Sequence, residues 1–255
     1  MTPTLARRLF AEGLGTALLV AVVIGSGIAA SELSSDVGLQ LFENAAATAT
    51  GLVAIILALG PVSGAHLNPV VTIADRVFGG LTTSEAAGYI GAQFVGGAVG
   101  AMVANVMFAQ PVVELSTHSR SSGALWTSEV VATFGLLLVI FGVVRSGRAS
   151  VAPFAVGAYI GAAYFFTSST SFANPAVTMA RTLSNTFAGV APGSVAAFVA
   201  AQLVGAALAV GAVRILYPDV AGVAGDVVVP HRDDGVAPGA ERVAPSARSG
   251  RSPAS

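Results

Sequence analysis

Six stretches of this chain, at about 9–30, 45–61, 86–108, 126–144, 151–166 and 195–216, are built almost wholly from apolar residues and hold hardly any charge. A run of ~20 apolar residues matches the ~30 Å hydrocarbon core of a bilayer, and at that depth every backbone N–H and C=O must find its partner inside the protein. Helices meet that demand within a single segment, so the sequence predicts an all-α membrane protein with six transmembrane helices. Composition agrees, since 54% hydrophobic and 10% charged residues do not cover a water-soluble surface. The first stretch follows Arg7 and Arg8 as a secretory signal would, but it is long and lacks a small-residue cleavage pattern. It reads as a retained first span.

The chain also repeats itself. Asn68-Pro69-Val70-Val71-Thr72-Ile73-Ala74 returns 106 residues later as Asn174-Pro175-Ala176-Val177-Thr178-Met179-Ala180. Ala92-Gln93-Phe94-Val95-Gly96 is matched by Ala201-Gln202-Leu203-Val204-Gly205, and Glu12 and Glu129 stand near the starts of the first and fourth spans. Residues 1–216 therefore form one domain of two copies, about 7–108 and 126–216. Each copy has an odd number of spans, so the second enters the membrane upside down, an inverted 3+3 repeat. Between the second and third span of each copy lies a short apolar segment, 68–78 or 174–183, too short to cross. Paired short segments of this kind predict two half-helices entering from opposite faces, with the loops 60–67 and 167–173 lining a water-filled space. Asparagine is a favoured helix cap and proline suits the first helical position, a combination that leaves the asparagine amide N–H groups to face the lumen.

Ser63-Gly64-Ala65-His66-Leu67-Asn68-Pro69-Val70 resembles the first signature of the aquaporin, or major intrinsic protein, superfamily, and Asn174-Pro175-Ala176 resembles the second. The likeness extends over nearly everything before residue 217. It implies an aquaporin-like fold, a pore in each subunit of a homotetramer, and passive passage of water and small uncharged solutes. Asn68, Pro69, Val70, Asn174, Pro175 and Ala176 would form the proton-excluding tips, with Val70 where the family usually has alanine. The selectivity filter carries over to Thr48, Ala162, Ser171 and Val177, the last replacing the family's usual arginine. Such a filter is wide, neutral and weakly polar, suited to glycerol-type polyols and urea. Bacterial relatives with a nonpolar residue at that position are associated with neutral arsenic species, methylated ones included. The resemblance makes Glu12 and Glu129 buried supports of the pore-loop backbones and gives His66 a part in fixing loop shape. Arg181, seven residues beyond Asn174, reads as a cation complementing the half-helix C-terminus. Gly96 and Gly100, and Ala201, Gly205 and Ala209, are small residues that let helices approach closely.

Other classes of function lack their residues. Twelve arginines, no lysine and thirteen acids form no basic stripe for nucleic acid. Without cysteine there is no disulfide or thiolate chemistry. No cluster of His, Asp or Glu predicts an enzyme, a metal or a cofactor, and a coupled transporter would need midplane charges beyond the two symmetric glutamates. Arginine placement puts Arg7, Arg8, Arg76, Arg145, Arg148 and Arg214 inside and Arg120 and Arg181 outside, hence both termini cytoplasmic in a bacterial inner membrane. Residues 217–255, rich in Pro, Gly and Arg, read as a disordered cytoplasmic tail. The expected partners are lipid, water and small neutral solutes.

Overall fold

The computed structural model describes residues 3–218, and these are helical with no strand. Six helices are long and apolar enough to cross a membrane: α1 (Leu5–Leu33), α2 (Val37–Ser63), α4 (Thr83–Met107), α5 (Gly123–Arg145), α6 (Ala152–Phe166, preceded by a 3₁₀ turn Ala149–Val151) and α8 (Pro192–Leu216). Two short helices, α3 (Pro69–Phe78) and α7 (Pro175–Ala180, continued by a 3₁₀ turn Arg181–Leu183), occupy the places expected for half-helices. The expected tail lies outside the described residues apart from Tyr217 and Pro218.

The helix ends are set by caps that hydropathy does not register. Asp36 accepts the Leu39 amide at 2.9 Å and starts α2 at Val37, so most of the expected connection around 31–43 is helix. Glu43 and Asn44 accordingly sit within α2, and the Asn44 amide donates to the Val23 carbonyl of α1 at 2.8 Å. Thr82 and Glu85 form a reciprocal capping box at the start of α4. At its far end α2 runs through Pro61 to Ser63, which shortens the first non-helical pore loop to residues 64–67.

Two equivalent bundles result. In the first copy α1 packs against α2 and α4; in the second α5 packs against α6 and α8; α2 and α6 join the halves. Close approach depends on missing side chains. A Cβ on Gly96 would lie 2.0 Å from the Gly13 carbonyl oxygen, and one on Gly100 2.2 Å from that of Ala17, so α4 rests on the α1 backbone. Gly205 has the corresponding place in α8, with the Val130 carbonyl 2.5 Å from a built Cβ. The outward surface carries large apolar side chains such as Phe10 and Val95, as a lipid-facing surface requires. Buried side chains of both copies meet in one continuous core around α3 and α7.

The glycine seam predicts a contrast. Gly96→Ala or Gly100→Ala should destabilise the detergent-solubilised protein by about 1–3 kcal/mol through overpacking against backbone. Gly91→Ala, on the same helix with nothing within 4 Å of the new methyl, should be neutral or stabilising by up to ~1 kcal/mol. Thermal denaturation of the three variants side by side checks this.

Candidate functional site

The tips of α3 and α7 meet inside the core. At each tip an asparagine caps its own helix: Asn68 Oδ1 accepts the Val70 amide at 3.0 Å, and Asn174 Oδ1 accepts those of Ala176 and Val177 at 3.0 and 3.2 Å. Pro69 and Pro175 take the first helical position, and Val70 and Ala176 are buried behind them. The amide nitrogens then reach across: Asn68 Nδ2 donates to the Ala173 carbonyl and Asn174 Nδ2 to the Leu67 carbonyl, both at 2.8 Å. This corrects the expectation that capping leaves both amide hydrogens for the lumen. One hydrogen of each amide ties the two halves together, and the second remains for a solute.

Each loop ahead of its asparagine turns through the left-handed region at matching places. Gly64, Ala65 and Leu67 have φ of 86°, 46° and 51°; Thr170, Ser171 and Ala173, each 106 residues later, have 62°, 53° and 46°. Five of these six are not glycine, a strained arrangement that persists only when its surroundings hold it. The holding groups are the two glutamates. Glu12 accepts Ser63 Oγ at 2.7 Å, the His66 amide at 3.0 Å, and the Leu67 amide and Gln93 Nε2 at 2.8 Å each. Glu129 accepts Ser169 Oγ at 2.6 Å, the Phe172 and Ala173 amides at 2.9 Å each, and Gln202 Nε2 at 2.6 Å. The glutamines also donate to Thr72 and Thr178, whose hydroxyls bond back to the carbonyls of Asn68 and Asn174. Both carboxylates are fully buried. His66 lies against the Tyr89 ring with Nδ1 3.2 Å from Thr72 Oγ1.

A cavity of about 60 Å³ runs past the two tips, room for roughly four to six waters at ~10–15 Å³ each. Asn68, Asn174, His66, Thr48, Ser171 and Val177 all line it. Ala162 does not. It is exposed on the far side of α6, whose cavity-facing positions are Val156, Ile160 and Tyr164, one helical turn apart. Ala162 is half a turn from that stripe at ~100° per residue. Tyr164 takes the place expected for it, its hydroxyl 3.0 Å from Thr48 Oγ1.

The expectation of a neutral filter is also corrected, because Arg181 lines the same cavity. It follows Val177 by four residues, and so returns to the same side of the half-helix. Its guanidinium carbon sits 3.5 Å from the centroid of the Phe172 ring, and Nε donates to the Ala188 carbonyl. Arg120 approaches the same ring at 5.3 Å and donates through Nε to the Gly189 carbonyl at 3.1 Å. Tyr164 and Phe172 were not singled out from sequence. The α6 register would have found the first, and neither residue belongs to a repeated motif.

The matching family model is described as "Major intrinsic protein" and spans residues 1–172. Over 212 residues the chain is 48% identical to the aquaglyceroporin AqpS of Rhizobium meliloti, covering 83% of this chain and 91% of that protein. It is 33% identical over 171 residues to the probable aquaporin AqpM of Archaeoglobus fulgidus, covering 58% of this chain and 70% of that one. Among solved structures, the aquaglyceroporin from Plasmodium falciparum shares the fold, with a TM-score of 0.66 at 20% identity over 85% of this chain and 99% of that one. Fold and paired tips define a membrane channel rather than an enzyme. The chain belongs to the major intrinsic protein family, that of the aquaporins.

The loop supports can be tested directly. Glu12→Gln or Glu129→Gln keeps the shape but turns one acceptor into a donor facing donors, and should cost about 1–3 kcal/mol, the penalty of leaving a buried donor without its acceptor. Thermal denaturation and solute flux, measured on both variants, should fall together and to a similar extent.

Proposed function

We propose that this chain is a passive channel for water and small uncharged solutes of the glycerol type, closed to protons at the Asn68 and Asn174 tips. The observation that carries it is the cavity running past both asparagines, each with one amide hydrogen left for a passing oxygen atom. Two helix N-termini facing one another each present roughly +0.5 of an elementary charge, which repels hydronium and other cations from the midplane. The channel walls between the polar points are apolar, with Leu19, Leu52, Ile140 and Ile160 among them. A solute there keeps a small number of hydrogen bonds and sheds the rest of its water, which selects against ions.

Val177 leaves the position after the second Asn-Pro-Ala without a long cationic side chain, and that supports passage of solutes larger than water. Neutral arsenic acids, methylated ones included, share the size and charge class of the polyols and fall within the proposed range. The name of the Rhizobium relative, an aquaglyceroporin, agrees with this reading. Arginine placement supports cytoplasmic termini, with Ser171, Val177 and Arg181 toward the outer face. A homotetramer in a bacterial inner membrane, its lipid-facing helices in part covered by neighbouring subunits, completes the proposal.

Stopped-flow light scattering on proteoliposomes tests it. Wild type should pass both water and glycerol faster than empty liposomes, while Val177→Arg should lose about tenfold or more of the glycerol flux and keep most of the water flux, a discrimination of ~1.4 kcal/mol. Wild-type liposomes that move neither solute faster than empty ones would overturn the proposal.

A further inference from the structure

The geometry points to Arg181 as a binding site for acceptor oxygens within the pore, an inference that rests on the channel reading above. We propose that it takes a compact oxyacid or oxyanion, two of whose oxygens sit on one atom.

Arg181 is 2% exposed, yet its side chain lines the cavity that Asn68, Asn174 and Val177 also line. The guanidinium is fixed at two points: its face lies on the Phe172 ring and its Nε is bonded to the Ala188 carbonyl. Those contacts engage one of its five N–H donors. No carboxylate among the described residues lies within ion-pair distance of it, and no protein acceptor there takes its terminal N–H groups. Those groups are not sealed in protein, so the cavity is where their partners must sit. A buried cation without an acid is costly in a membrane protein, and such a residue is retained where water or a ligand completes it.

The chemistry of the completing group follows from the fork. Two parallel N–H donors on a planar guanidinium fit two oxygens attached to one atom, the geometry of a carboxyl, phosphonyl or sulfonyl group. Phe172 holds the plane, so little ordering is left for the ligand to impose. The same cavity is lined by the apolar Val177 and Ile160 and by the hydroxyl-bearing Thr48, Tyr164 and Ser171. Arg120 adds a second cation on the same ring, and Glu129, which holds the Phe172 amide, is the acid nearest in the network without forming an ion pair with either arginine. The site therefore favours negative or acceptor-rich ligands, and a permeating polyol competes with such a ligand for the same donors.

Methanesulfonate is a suitable probe, because it carries its oxygens on one sulfur, bears a methyl group and stays ionised at every usable pH. Glycerol flux is measured in proteoliposomes with sodium methanesulfonate replacing sodium chloride on both sides at equal osmolarity, for wild type, Arg181→Lys and Arg181→Leu. Wild-type flux should be at least halved by the exchange, Arg181→Lys inhibited less, and Arg181→Leu indifferent. The detergent-solubilised proteins are heated in the same two salts, and methanesulfonate should raise the melting temperature of wild type more than that of either variant. The second readout does not depend on transport, so absent glycerol flux in chloride would count against the channel reading alone. Arg181→Lys guards against a leucine variant that does not fold. Equal responses of wild type and Arg181→Lys to methanesulfonate in both measurements, or no response of wild type in the melting experiment, would overturn the site.

Discussion

A carboxylate buried in a membrane domain has lost its hydration and must be surrounded by donors, or its cost is several kcal/mol. Glu12 and Glu129 each accept two backbone amides, one hydroxyl and one glutamine amide, and the shape of the whole pore hangs on those eight bonds. The loops they hold have no helical hydrogen bonds of their own at a depth where no lipid group can supply one. With the amides of 66, 67, 172 and 173 tied back to carboxylates, left-handed conformations at non-glycine residues become affordable. The loop carbonyls and asparagine tips are then placed by the body of α1 and α5 rather than by the loops themselves.

From that fixed frame the polarity of the cavity follows. The two asparagines and Arg181 share the lining with Thr48, His66, Tyr164, Ser171 and an otherwise apolar wall. A solute moving through such a lining exchanges a few directed bonds in sequence and never regains a full shell of water. Cations meet helix N-termini and arginine, and among the described residues no Asp or Glu lines the cavity. Unlike its counterpart α3, α7 ends after six residues and continues as a tight 3₁₀ turn that begins at the lumen-lining Arg181.

Much of this was legible in the sequence, for definite reasons. Hydrophobic length reveals spans whatever the fold, and the doubled Asn-Pro segment reveals inversion because an odd number of spans separates its copies. Glu12 and Glu129 were readable as a pair since membrane helices seldom carry isolated acids. Helix ends were less legible: α2 begins at a cap, Asp36, inside a stretch whose Gln40, Glu43 and Asn44 lower its hydropathy although they lie on a helix. The filter was the hardest part. Carrying a position along α6 without its register named Ala162 on the outer surface and missed Tyr164, two residues on and half a turn away. Arg181 was assigned to the helix end because linear distance from Asn174 was visible, whereas its stacking on Phe172 depends on a loop that long-range bonds, those to Glu129 among them, hold in place.

The crossed asparagine bonds set an order of events in synthesis. The first half of the chain is made and inserted before residue 173 exists. Until then the Asn68 amide and the Leu67 carbonyl have no partner at the centre of the bilayer, although α1, α2 and α4 can already pack through their glycine seam. The later half supplies both missing groups in a single step and has its own pair completed in return. Tip closure thus makes the two halves mutually dependent: neither can satisfy the polar groups at its own tip, and each is completed only by the other.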